Sequence, residues 1–169
     1  MTQKLPPGNS STTASIDLSR FKRALSCFAT GVAVVTTVDS KGAKVGMTIN
    51  SFNSVSLDPP LVLWSVAEDS FSYDVFTRAE HFAVNVLSIH QKDLADRFAQ
   101  RNSNKFDGLE HGEGLHGLPL LQDFAACFEC RTEHVYAGGD HKIIVGRVLR
   151  VEEHETDPLI YYRGHYLRS

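Results

Sequence analysis

The stretch GMTINSFNSVSLDPPLVLWS, from Gly46 to Ser65, sets six neutral polar residues between two apolar, strand-like runs. Thr48, Asn50, Ser51, Asn53, Ser54 and Ser56 supply only hydroxyls and amides, and the one charge is Asp58, beside Pro59 and Pro60. If the strand beginning at Lys44 runs through Thr48, then Thr48 and Asn50 share one face and Ile49 takes the other. A hydroxyl and an amide on one wall suit a flat, polar ligand. The alternative is a turn whose Ser and Asn side chains satisfy their own backbone, and spacing alone weighs the two equally.

Working outward, VAVVTTV at 32–38, the polar DSKG and KVGMTI predict a hairpin of two β-branched strands. Upstream, Leu18, Phe21, Leu25 and Phe28 mark one face of a helix, with Ser15 or Asp17 to cap its start and Gly31 to end it. Downstream, LVLWSV is nearly continuous in apolar residues, which predicts a strand buried on both faces. EDSFSYDVFTRA predicts a short helix with Asp69 or Ser70 near its cap, and HFAVNVL predicts a strand. Ser88 and Gln91 have capping-box spacing ahead of a helix whose inner face is Leu94, Ala95 and Phe98.

Residues 101–119, rich in Gly, Asn and charge, read as a long loop of the kind that is functional or disordered. Two long strands, about 124–137 and His141–Glu153, precede PLIYYRGHYLR, a strand with a turn at Arg163-Gly164. Many strands joined by short turns, with few helices and no βαβ rhythm, predict a mainly β fold. The expected form is a closed antiparallel barrel with peripheral helices, and an α/β sheet is the alternative.

The composition is that of an ordinary globular chain, with a net charge of −3. No basic stripe with interleaved aromatics points to nucleic acid, and no apolar run reaches the roughly 20 residues of a membrane span. The N-terminus carries no apolar signal segment, so the expectation is a cytoplasmic protein. Residues 1–15 read as a flexible Pro/Ser/Thr-rich tail, and 16–169 as one domain. Three cysteines fit a reducing compartment. Cys127 and Cys130 form C-x-x-C inside a strand pattern, where residues three apart face opposite ways, so both read as structural.

Three further motifs carry less. Gly112–Gly117 is a literal G-x-G-x-x-G, but it lacks the preceding strand and following helix that place a pyrophosphate on a helix N-terminus. His111 and His116 have no completing ligand set, so no metal is expected. Asp140-His141 reads as a turn aspartate and a half-exposed strand histidine.

Taken together, FATGVAVVTT, GMTINSFNSVSLDPPLVLWSV, FAVNVLSIHQKDLADRFA, KFDG, GDHKIIVGRV and PLIYYRGHY resemble, in order, the short-chain NAD(P)H:flavin oxidoreductases. The resemblance covers about residues 18–167. It implies a Greek-key, FMN-binding split β-barrel that forms a homodimer. It also implies hydride transfer from NADH or NADPH to FMN or FAD, and supply of reduced flavin to a partner flavin-dependent monooxygenase. On the same ground, Thr48, Asn50 and Ser51 would contact flavin, with Ser65, Val66 and Ser70 along its ring or ribityl-phosphate side. Ala83, Asn85, Ser88 and Gln91 extend that set. His141 would position nicotinamide, with Tyr166 as an aromatic neighbour. Hydride transfer between planar rings needs stacking and orientation more than an acid or base. A flavin-binding carrier barrel without nicotinamide access is the competing class, and a purely structural interaction domain leaves the neutral polar residues without a purpose.

Overall fold

The structure is a computed structural model that describes residues 16–102 and 104–167. The expected N-terminal tail lies outside them. The fold is mainly β with three helices. Helix α1 (Leu18–Leu25) starts where Asp17 Oδ1 accepts from the backbone N–H of Ser19, at 2.8 Å, and of Arg20, at 3.3 Å. It stops short of Gly31, because Cys27 and Phe28 donate to the carbonyls of Ala24 and Leu25 and tighten the last turn. Phe28 therefore leaves the helix face. No residue of α1 is buried.

The main sheet has seven strands in the order β3-β2-β6-β9-β10-β5-β4, every pairing antiparallel. These are β2 (Ala33–Val38), β3 (Lys44–Ile49), β4 (Asn53–Leu57), β5 (Pro60–Ala67), β6 (His81–Val86), β9 (Ala126–Ala137) and β10 (His141–Glu153). Helix α2 (Tyr73–Arg78) follows β5, and α3 (Lys92–Ala99) follows β6. Strand β1 (Thr30–Gly31) joins β11 (Ile160–Tyr162) and β12 (His165–Leu167) in a small sheet. Arg163 and Gly164 both take positive φ, 48° and 83°, in the tight turn of that last hairpin.

The expected closure is not made by hydrogen bonds, since no ladder joins β3 to β4 among the described residues. The sheet is nevertheless strongly curved. Val35 and Ile49 from one end share a buried cluster with Val62, Trp64 and Val66 from the other, together with Phe76 of α2. A side chain also bridges the ends: Ser51 Oγ accepts from Ser65 N–H at 3.0 Å and donates to Ser65 C=O at 3.3 Å.

Burial along β5 corrects the expectation of two covered faces. Val62, Trp64 and Val66 are buried, while Leu63, Ser65 and Ala67 are only half-buried. Alternation on a strand puts the first set in the core and the second on the opposite face, which is free to line a cleft.

Helix α3 packs Ala95 and Phe98 with Val32, Val34 and Leu87 in a second cluster. Its approach to β3 requires Gly46, where a Cβ would lie 2.4 Å from Phe98 Cε1. The buried Lys105 ammonium donates to the carbonyls of Gly46 (3.0 Å) and Phe98 (2.8 Å), joining the helix end to β3, and burial lowers its pKa.

The segment expected as a loop between 101 and 119 is partly ordered. Strand β7 (His111–Glu113) pairs with β8 (Pro119–Leu121) around a 3-10 turn at Leu115–Gly117. Buried side chains fasten it. Thr36 donates to Pro119 C=O, Leu121 N–H donates to Asn85, Gln91 donates to Gln122 C=O, and Leu115 N–H donates to Glu129. In this turn of the glycine motif the backbone N–H of Leu115 is taken by the Glu129 carboxylate, which Arg150 also holds. Cys127 and Cys130 lie in different clusters, and burial pushes both thiols up to about 12.

Candidate functional site

A cleft of about 480 Å³ opens where the end of β3 meets β5 and the β9–β10 turn. Its wall includes Thr48, Asn50, Ser51, Ser65, Ser70 and His141. Pairing of β2 with β3 ends at Ala33 and Ile49, so Asn50 and Ser51 leave the ladder and line the cleft, while Phe52 packs against the core. Strand register supplies the opposite wall. His141 pairs with Ala67, and Ile143 with Ser65.

Hydrogen bonding separates these polar groups sharply. Thr48 Oγ1 donates to Ala95 C=O in α3 at 2.7 Å, so its one proton is committed to the scaffold and only its oxygen can serve a ligand. Ser51 is committed to Ser65 in both directions. Ser70 Oγ donates to Met47 Sδ at 3.2 Å and accepts from Ser72 N–H at 3.3 Å. Asn50 is exposed, and its amide makes no hydrogen bond to any described residue.

His141 is held in the β-turn corner by two backbone bonds, Gly138 N–H to His141 C=O (2.8 Å) and Glu68 N–H to Asp140 C=O (3.0 Å). Its Nδ1 lies 2.7 Å from Asp140 Oδ1, and the ring is 43% exposed. The hydrogen bond and charge of His141 lower the Asp140 carboxyl pKa, which keeps it ionised at neutral pH. An ionised acceptor fixes the tautomer with the proton on Nδ1, and leaves Nε2 available to a ligand.

Tyr166 stands in an adjoining lobe of about 210 Å³ with Val32, Thr48, Ile49, Asn50 and Tyr161. The two lobes share the ridge Thr48–Asn50. Lys92 Nζ lies 5.5 Å from the Tyr166 ring centroid. Burial, then the neighbouring Asp96, raises the Tyr166 hydroxyl pKa.

The other expected site residues are elsewhere. Val66 is fully buried on the core face of β5. Ala83 packs against Leu118, Leu120, Phe124 and Cys127. Asn85 is fully buried and committed: its amide donates to Val34 C=O (3.0 Å) and Thr36 Oγ1 (3.3 Å), and its oxygen accepts from Leu121 N–H (3.0 Å). Gln91 reaches back to Ser88 N–H at 2.9 Å, half of the expected capping box, and both residues line a separate groove beside Phe124 and His154. Met47, Ile49, Ala67, Gly138 and Ile143 line the cleft and escaped the sequence reading, which put Ile49 on the opposite face. Alternation about Ser65 and His141 is the signal that points to Ala67 and Ile143.

A curved antiparallel sheet with a neutral polar cleft at the meeting of its ends defines the class. The chain matches the flavin reductase like domain over residues 25–168 and belongs to that family. It is 47% identical over 148 residues to the FMN reductase (NADH) SmoA of Agrobacterium fabrum, covering 88% of this chain and 84% of the relative. It is 40% identical over 153 residues to the reductase subunit HsaB of a flavin-dependent monooxygenase of Rhodococcus jostii, covering 90% and 78%. The NADH:FAD oxidoreductase of Streptomyces globisporus, solved with NAD and FAD fragments, superposes with a TM-score of 0.85 at 36% identity, covering 90% of this chain and 93% of that one. Some curated relatives are longer, and the chain spans about half their length.

The residues present fit a flavin. The cleft volume lies within the roughly 300–1,000 Å³ of small-molecule sites. Among the described residues its lining holds no carboxylate that would repel an anionic ligand, and it offers Asn50 and His141 Nε2 as uncommitted polar groups.

Proposed function

We propose that this protein is an NAD(P)H:flavin oxidoreductase that reduces FMN or FAD and releases the reduced flavin to a flavin-dependent monooxygenase component. The observation that carries the reading is the meeting, on one cleft, of the free Asn50 amide and the His141 ring held by Asp140. The flavin and nicotinamide rings supply the hydride chemistry themselves. The chain's task is to bind and orient them. Asn50 donates to the polar edge of the flavin and favours the negative charge that reduction places there. His141 uses Nε2 to orient the nicotinamide carboxamide, with Asp140 keeping the imidazole from turning. Ser65 and Ser70 line the same side, and Thr48 offers an acceptor. Tyr166 closes the neighbouring lobe. NADH use is supported by the first relative above, and an oxygenase partner by the second.

The reading includes a single domain over residues 16–169, with the curved sheet as the wall of a split barrel, and a homodimer. Support for the dimer comes from α1. Leu18, Phe21 and Leu25 are 69%, 48% and 58% exposed on one face, and a short helix draws its stability from covering such a face. A second copy provides that cover.

Anaerobic mixing of the protein with FMN or FAD and then NADH or NADPH tests the activity. Catalytic bleaching of the visible flavin band is expected. Tight flavin binding without bleaching by either nucleotide would replace the reductase with the carrier reading.

A further inference from the structure

The two methionines of the chain are Met1 and Met47, and Met47 stands in the cleft. It is half-buried on β3, packed on one side against the main core cluster. Its sulfur accepts the Ser70 hydroxyl at 3.2 Å, the contact that orients that hydroxyl on the cleft wall. The other sulfurs near the sheet are poor competitors for an oxidant, because Cys127 and Cys130 are buried and held protonated with pKa values of about 12. Cys27 is exposed, but it is not part of the cleft lining, and its sulfur accepts from Arg163.

We propose that Met47 is an oxidation site through which hydrogen peroxide slows the protein. The proposal rests on the flavin reductase reading for the source of the oxidant. Reduced flavin that meets dioxygen instead of an oxygenase gives up two electrons and two protons, and dioxygen becomes hydrogen peroxide. The Met47 sulfur then attacks one peroxide oxygen. The O–O bond breaks, an S–O bond forms, and the second oxygen leaves as water with both protons. Sulfur is oxidised by two electrons and peroxide is reduced by two.

The product differs from the thioether in two ways that matter here. Sulfoxide oxygen is a far stronger acceptor than thioether sulfur, so the Ser70 hydroxyl follows the new oxygen and shifts from its present place on the cleft wall. A polar, bulkier group also replaces an apolar one where the wall joins the core. Both changes weaken flavin binding. Production of reduced flavin then falls when it outruns the oxygenase that consumes it, and methionine sulfoxide reductases restore the thioether.

The test begins with flavin-free protein and a dose series of hydrogen peroxide, read by peptide mass spectrometry, so that Cys27 and Met1 are scored separately. Met47 is expected to gain one oxygen, and the flavin dissociation constant of the treated protein to rise several-fold over the untreated. Met47→Leu, compared with its own untreated state, is expected to show no such rise. Met47 remaining a thioether at doses that oxidise Met1 overturns the proposal, as does an equal loss of affinity in Met47→Leu. In a second arm, turnover with NADH and FMN in air yields the Met47 sulfoxide, and anaerobic turnover does not. Equal sulfoxide in both overturns the proposal. Absence of NADH consumption removes the reductase reading and leaves the first arm standing as a separate result.

Discussion

The end of β3 and the middle of β6 carry the same kind of sequence, yet one opens on the cleft and the other closes the scaffold. Thr48-Ile49-Asn50, at the end of β3 and one residue past it, and Ala83-Val84-Asn85, within β6, each place an asparagine two residues after a small or hydroxylated one. Asn85 has every part of its amide engaged, by Val34, Thr36 and Leu121. The Asn50 amide engages no described residue. A buried amide lowers free energy only when its bonds are made, and an exposed one keeps its bonds for a partner. The state of those bonds, more than residue type, separates a structural polar group from a binding one.

The largest expected effect tests the scaffold side. Asn85→Leu leaves the Leu121 N–H and Val34 C=O without their partner, at roughly 1–3 kcal/mol for each buried group left unpaired. The urea midpoint should fall by the equivalent of about 3 kcal/mol, while the folded fraction keeps its flavin dissociation constant within about two-fold. A stable Asn85→Leu protein with impaired flavin binding would erase the distinction.

On the ligand side, His141→Ala should lower turnover by about 10- to 100-fold, the scale on which misorientation acts. Flavin affinity should stay within a few-fold, as measured by fluorescence titration. Asp140→Asn, which removes the ionised partner of Nδ1, should show a weaker form of the same pattern. Unchanged steady-state kinetics in His141→Ala would remove the histidine from the site.

Asn50→Ala should weaken flavin binding by about 5- to 10-fold, matching one hydrogen bond of about 1 kcal/mol. Its thermal midpoint should stay near that of the parent, since no described residue depends on that amide. An unaltered dissociation constant would return the β3 end to the scaffold.

The smallest effect lies far from both asparagines. Arg147, by hydrogen bond and charge, holds the Glu133 carboxyl at about 2 across β9 and β10, below its ordinary 4.5. A depressed acid pKa stabilises the fold above the unfolded value and loses that effect as pH falls through the folded one. Thermal stability should therefore decline between about pH 4.5 and 2 by slightly more in the parent than in Glu133→Gln.

Much of this arrangement was legible in the residues. The hairpin at 33–49, the long pair β9 and β10, and the Arg163-Gly164 turn follow from alternation and turn chemistry. The Cys127 and Cys130 reading holds because three residues on a strand cross the sheet. Sequence spacing misled at β5, where Leu61 to Val66 is nearly continuous in apolar residues but only alternate residues are buried, because the other face borders the cleft. The spacing of Ser88 and Gln91 anticipated the bond between them, but not that Gln91 also donates to Gln122, 31 residues further along the chain. Contacts at that distance leave no local pattern. The same holds for Lys105, which looks like a surface charge in KFDG and is buried beneath β3.

The glycine-rich segment between Leu109 and Gln122 has the composition of a place where a protease would cut first or an insertion would be tolerated. Thr36, Asn85, Gln91 and Glu129 tie it to β2, β6, the head of α3 and β9. Nicking there would release four buried polar groups at once. Engineers seeking a permissive site for a tag, a sensor or new termini would do better at the Asp39–Gly42 turn, where Asp39 alone, through its carboxylate and backbone, organises the bend.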